Sequence, residues 1–156
     1  MYSINTQLCV AIVIAAIASL SASCPDATWT PSSRIPTRCY LPVTQTQSWF
    51  AAENYCKGKA PNAHISSIAN GFESAEVAAL LEDAPGVHNL DSFWLGASDL
   101  LVQGQYQWTD TTPFTYTNWY TNQPDKTNDC VLLEIRFNSK WITADCGEPH
   151  FFVCAV

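Results

Sequence analysis

Six cysteines, Cys24, Cys39, Cys56, Cys130, Cys146 and Cys154, stand after residue 23 of this 156-residue chain. An even set in a small domain reads as three disulfides when the chain passes through an oxidising compartment. Spacing alone does not say which cysteine meets which. A zinc site needs closely spaced ligand pairs, and neither Cys-x-x-Cys nor His-Glu-x-x-His occurs.

The N terminus supplies the compartment. Leu8 to Ala18 is an unbroken apolar run, followed by the small residues around Ala22 and Ser23. A membrane span needs roughly 20 apolar residues, so this run fits a secretory signal peptide over residues 1–23. It departs from the usual pattern only in having no Lys or Arg ahead of the run. Cys9 leaves with that segment, and residues 24–156 form one domain. No later segment is long enough to span, so the expected product is secreted and extracellular, with no membrane span after processing. The formal charge is −7, and Met1 to Ser23 carries none of it. Such a chain repels phosphate backbones, which argues against a nucleic-acid partner.

Local pattern predicts an α+β domain. Trp49 to Cys56 reads as a helix with Trp49, Ala52 and Cys56 on one face, Ser48 as its cap and Gly58 at its end. Asn70 and Glu73 resemble a capping box opening a second helix to about Leu81, with Phe72, Ala75 and Ala79 as its apolar stripe. Glu82 to Asp91, holding Pro85-Gly86, reads as a loop. Phe93 to Ala97, Tyr106 to Asp110, Val131 to Phe137, Lys140 to Thr143 and Phe151 to Val156 read as strands. Thr111 to Asp129 is a long polar loop, and loops of that length in compact domains usually carry function.

Within that loop, Gln123-Pro124-Asp125 places an amide and a carboxylate on either side of a proline, after the aromatics Trp119 and Tyr120. A cis proline there would aim both oxygens at one point, as a hard cation or a polyol needs. Trp94, Trp108 and Trp141 sit in apolar runs and read as core. Trp119 reads as a loop anchor or as a platform for stacking a sugar, with Tyr116 and Tyr120 as further stacking candidates. His64, His88 and His150 have no spacing that suggests catalysis, and Ser66-Ser67 lacks a nucleophile-elbow context.

Taken in order, the pieces match a family. They are Cys24-Pro25 to Cys39-Tyr40, Ser48-Trp49 with Cys56, Phe93-Trp94-Leu95-Gly96, Tyr106-Gln107-Trp108-Thr109-Asp110, Asn118-Trp119, Gln123-Pro124-Asp125, Asp129-Cys130-Val131, Trp141 to Cys146, and Phe152-Val153-Cys154. The chain resembles the long-form C-type lectin domain. The resemblance implies two helices packed on short antiparallel sheets with a long polar loop, and the disulfides Cys24–Cys39, Cys56–Cys154 and Cys130–Cys146. It also implies carbohydrate or glycoconjugate as partner, a calcium cofactor and no enzymatic activity. By carry-over, Gln123, Asp125, Asn128 and Asp129 are the metal ligands. Gln123, Asp125 and Asn128, with Trp119 and Tyr120, contact the sugar, and Gln-Pro-Asp goes with galactose-type ligands. Two positions depart from the family pattern. The glutamate two residues before Cys130 is Asn128, and the family's Trp-Asn-Asp reads Trp141-Ile142-Thr143. Calcium affinity follows ligand charge and number, so the alternative is a calcium-independent module that binds a protein, a glycan or a surface.

Overall fold

Strands that are apolar at every position must be covered on both faces, and three of the strands here are of that kind. The computed structural model describes residues 23–85 and 92–156. The expected signal peptide (apart from Ser23), Cys9, His88 and most of the loop expected before Phe93 lie outside those residues. In chain order the elements are β1 (Thr30–Pro31), β2 (Cys39–Gln47), α1 (Trp49–Lys57), β3 (His64–Ile65), α2 (Gly71–Glu82), β4 (Ser92–Ser98), β5 (Gln107–Trp108), β6 (Cys130–Glu134), a 3-10 turn (Ile135–Phe137), β7 (Lys140–Ala144) and β8 (His150–Ala155).

The strands join in the order β1-β2-β8-β4-β6-β7, with β3 also on β8 and β5 also on β4. All pairings are antiparallel except β4 with β8, where Phe93 faces Phe151 and Trp94 faces Phe152 in parallel. The expectation of purely antiparallel sheets is corrected there. Strand β8 also closes on β2, Tyr40 opposite Ala155 and Leu41 opposite Cys154, so the two ends of the domain meet.

Alternate residues of β4, β6 and β8 fill two separate cores. Trp94, Leu132, Phe152 and Cys154 point to the α1 side, which also holds Cys56, Cys130 and Cys146. Phe93, Leu95, Val131, Leu133 and Val153 point to the α2 side, with Trp108 and Trp141. The three disulfides are Cys24–Cys39, Cys56–Cys154 and Cys130–Cys146. The pairing that the family resemblance implied is therefore the observed one.

Several local expectations change. Ser48 makes no side-chain cap; the Trp49 N–H donates instead to the Cys146 carbonyl at 2.9 Å. Asn70 does cap α2, its Oδ1 accepting from Phe72 N and Glu73 N at 3.0 Å. Glu73 reaches back one residue further than a capping box would, to Ala69 N. The buried face of α2 is Ser74, Val77, Ala78 and Leu81, and Phe72 is 71% exposed. The helix is apolar on nearly every side, so periodicity does not single out a face. A polar network chooses it. Arg38 Nε lies 2.9 Å from Glu73 Oε1, and the Tyr40 hydroxyl donates to the same oxygen. Arg38 also donates to Ser67, whose hydroxyl donates to Asp110. Past Glu134 the expected strand becomes the 3-10 turn, because Asn138 and Ser139 take positive φ and reverse the chain. The strand expected over Tyr106–Asp110 shrinks to Gln107–Trp108. Among the described residues no helix is long and apolar enough to cross a membrane.

Gly96 lets β3 and β5 approach β4 on the same residue: its N–H donates to Ser66 O and its carbonyl accepts from Thr109 N. A Cβ there would overlap the Ile65 carbonyl oxygen and lie 2.9 Å from Thr109 Oγ1. Gly96→Ala is expected to cost about 2–4 kcal/mol in urea unfolding, while Gly58→Ala, in an ordinary helical conformation with open space, stays within about 1 kcal/mol of the parent.

Burial raises the Asp110 carboxyl, but hydrogen bonds from Ser67 and Thr112, with the Arg38 charge, outweigh it and leave the group below its ordinary value. A depressed carboxyl stabilises the fold above its unfolded-state pKa of about 3.9 and loses that contribution as pH falls through the folded value. The stability gap between wild type and Asp110→Asn should therefore be full near neutrality and shrink as urea melts are repeated at progressively more acidic pH below about 4.

Candidate functional site

The long loop begins at Thr111 and returns to the sheet at Cys130, and it has no strand of its own beyond a single bridge between Trp119 and Trp141. It sits on an aromatic floor. Trp141 is fully buried, and Trp108, Trp119 and Tyr116 stand edge-on to it at 5.5–5.7 Å. Such edge-to-face pairs add to the area they bury. Burial pushes the Tyr116 hydroxyl above its usual value, and does the same for Tyr106, which also faces the Asp99 carboxylate.

Strand β7 lies at the end of the sheet, so its outward backbone groups need partners from the loop. Trp141 N donates to Asn118 O at 2.9 Å, and Trp141 O accepts from Tyr120 N at 2.8 Å. Two residues on, the loop backbone has turned away, and a side chain takes over. Gln123 Oε1 accepts from Thr143 N at 2.9 Å, from Thr143 Oγ1 at 2.8 Å and from Asp125 N at 3.2 Å. The Asp125 N–H also reaches Thr143 Oγ1 at 3.1 Å. The Gln123-Pro124 bond is cis, as a converging turn requires, but the Gln123 oxygen converges on β7.

Asp125 closes the other half of the turn. Its Oδ1 accepts from Thr127 N and Asn128 N at 2.8 and 2.9 Å, and its Oδ2 lies 3.3 Å from Asn128 Nδ2. Desolvation raises this carboxyl slightly; those donors, with the Thr143 hydroxyl, outweigh it and hold the carboxyl below its usual value. The structure therefore brings Gln123, Asp125 and Asn128 together. Asp129 meets the rest of the fold through its carbonyl, which accepts from Asp99 N at 3.1 Å. Trp119 is half-buried against Trp141, which matches the loop-anchor reading more than the stacking one. Tyr120 is 41% exposed and stacks on Phe137 at 4.6 Å, so it offers an accessible ring edge at the rim.

The sequence model of the lectin C-type domain matches residues 45–156. This chain belongs to the C-type lectin domain family. Among curated relatives of this lectin-family chain, Snaclec A10 of Macrovipera lebetinus is 28% identical over 160 residues, covering 99% of this chain and 98% of the relative. A snaclec coagulation factor IX/factor X-binding protein of Echis carinatus is 30% identical over 125 residues, covering 76% and 91%. Among solved structures, a calcium-independent type II antifreeze protein superposes with TM-score 0.72 at 25% identity, covering 84% of this chain and 92% of that one. Human lithostathine superposes with TM-score 0.75 at 21% identity, covering 83% and 97%, which speaks to the fold alone.

The residues of this C-type lectin domain do not fit a calcium ion as they are placed. Calcium takes six to eight oxygens and gains affinity with their charge. The Gln123 oxygen is committed to three donors, Ile142 offers no side-chain oxygen, and Thr143 gives a neutral hydroxyl that is already bonded. Among the described residues, no cluster of three or more His, Cys, Asp or Glu is arranged to hold a metal. The signal that anticipates this is Thr143 itself, which keeps a hydroxyl where the family pattern has a carboxylate.

Thr143 is 5% exposed, so Thr143→Val keeps its shape and removes only the hydroxyl shared by Gln123 and Asp125. The expected loss is about 1 kcal/mol of stability. Hydrogen exchange at the Asp125 amide should quicken, while amides in β4 and β8 stay as protected as before.

Proposed function

We propose that this protein is an exported, non-enzymatic recognition module that binds a glycan or a protein ligand without calcium, through the outer surface of the Thr117–Asp129 loop. The reading rests on one observation. The Gln123 side chain, first choice for metal and sugar by family pattern, is the partner of the Thr143 N–H and hydroxyl on the edge of β7. A hydrogen-bonded clasp then does what a metal would otherwise do: it closes the loop onto the sheet and holds its shape. What faces solvent is Tyr120 with the neutral side chains of Thr117, Thr121 and Asn122. This surface suits hydroxyl-rich or neutral polar ligands with an apolar face.

The relatives support recognition as the general activity. One carries the name of a coagulation-factor-binding protein, and one solved neighbour is described as calcium-independent. Export agrees with the three disulfides and with the apolar N-terminal run. Ser92 Oγ lies 3.0 Å from His150 Nδ1, and His150 Nε2 lies 3.3 Å from Glu148, a juxtaposition that no local motif announces. Glu148 is 59% exposed, so no buried carboxylate fixes the imidazole, and this set does not argue for catalysis.

Isothermal titration of the refolded domain with millimolar calcium should give no binding heat, and a glycan array should read the same with and without chelator. Binding that vanishes with chelator would instead support the calcium-assisted, galactose-type lectin. The double variant Ile142→Asn, Thr143→Asp restores the two oxygen ligands of the family pattern. It should gain a calcium-dependent rise in melting temperature that wild type lacks.

A further inference from the structure

Four of the six large apolar side chains that are exposed among the described residues adjoin one cleft: Phe50, Leu100, Leu101 and Val102. The cleft has a volume of about 350 Å³ and runs between the Leu100–Leu101 turn and the indoles of Trp49 and Trp108. Phe50 stands edge-on to Trp49 at 5.4 Å. Leu101 is 80% exposed and forms the lip of the cleft. A soluble chain that shows contiguous apolar side chains of this kind usually covers them with something.

The turn that carries them is held in place. The buried Asp99 carboxylate accepts from Gly104 N at 2.6 Å and from Gln103 Nε2 at 2.8 Å, and Gln105 N donates to Val102 O. Gly104 takes the positive φ that the turn needs. The aliphatic tip is therefore displayed by a rigid support, and ordering it on binding costs little.

Charge points to the occupant. The chain carries −7, so two copies repel each other over most of their surface. This patch is the exception: residues 100–109 contain no charged side chain, and neither do the residues lining the cleft. The acids at either end are turned inward, Asp99 onto its own turn and Asp110 onto Ser67 and Thr112. A protruding leucine beside an apolar cleft is also self-complementary, which is what a twofold interface demands.

We infer that two copies of this chain associate about a twofold axis through this patch, the Leu101 of each entering the Trp49–Trp108 cleft of the other. The patch is smaller than the roughly 1,200 Å² of a standard interface, so the dimer is weak and concentration-dependent. It doubles the number of recognition loops per particle and adds avidity toward a repeating ligand.

Sedimentation equilibrium of the disulfide-bonded protein up to about 1 mM tests this directly. The weight-average mass of wild type should climb from monomer toward dimer. Leu101→Asp should weaken association about tenfold or more with an unchanged circular dichroism spectrum. Phe72→Asp alters an exposed ring on α2 outside the patch and should associate like wild type. A wild type that stays monomeric over the whole range overturns the inference, as does a Leu101→Asp protein that dimerises equally well. Loss of association in Phe72→Asp would place the contact on another face and overturn it too.

Discussion

An edge strand with unpaired N–H and C=O groups is the constraint around which the loop is organised. Strand β7 ends the sheet, and nothing in the order of strands supplies it a second neighbour. The loop supplies one piecemeal, by backbone at Asn118 and Tyr120 and by the Gln123 amide at Thr143. Each of these groups would otherwise be open to water or to another chain. A side-chain amide has the same carbonyl acceptor as a strand, so Gln123 continues the ladder after the backbone has left it. The chemistry left for a ligand follows from that choice, because an oxygen bonded to three donors inside the fold has little left to offer outside it.

The same sharing of parts shapes the rest of the domain. Strands β4, β6 and β8 feed both cores, so a change at one position is felt on one side only, and the strand between remains common to both. The Cys56–Cys154 bridge ties α1 to β8 across 98 residues of sequence. In a chain-entropy picture, closing a loop of that length removes roughly 4–5 kcal/mol of unfolded-state freedom. The bridge Cys130–Cys146 ties the start of β6 to the segment past β7, directly beside the loop's return. The loop's polar residues therefore hang between two points that are already fixed.

Much of this is legible in the sequence, for physical reasons that differ by residue. Apolar runs such as Phe93 to Ala97 are strands under any reading, because their residues leave no polar face for solvent. The nine residues of β2 are not legible past Tyr40, since Pro42 and the polar Thr44 to Gln47 hide a strand that is set by its pairing with β8. The face of α2 escapes a local reading because the signal that decides it is long-range: Glu73 is drawn inward by Arg38 and Tyr40, from a different part of the chain. At the loop, the residues that gather are visible as a motif, but their orientation is not. Gln123 can face a ligand or a neighbouring strand, and only the position of Thr143, twenty residues later, decides between them.

The distribution of charge links the two surfaces that face outward. From Leu100 to Pro124 the single charged side chain is Asp110, and it is held between Ser67, Thr112 and Arg38. The acids that make the chain strongly negative lie elsewhere in sequence. A ligand approaching this stretch meets hydroxyls, amides and aromatic edges, with little field to attract or repel it. Charged interfaces gain their speed from steering and lose it with salt, whereas neutral ones depend on shape and on desolvating apolar area. Recognition built on this stretch therefore has to draw its selectivity from the fixed outline of the loop, and that outline is set by the clasp between Gln123 and Thr143.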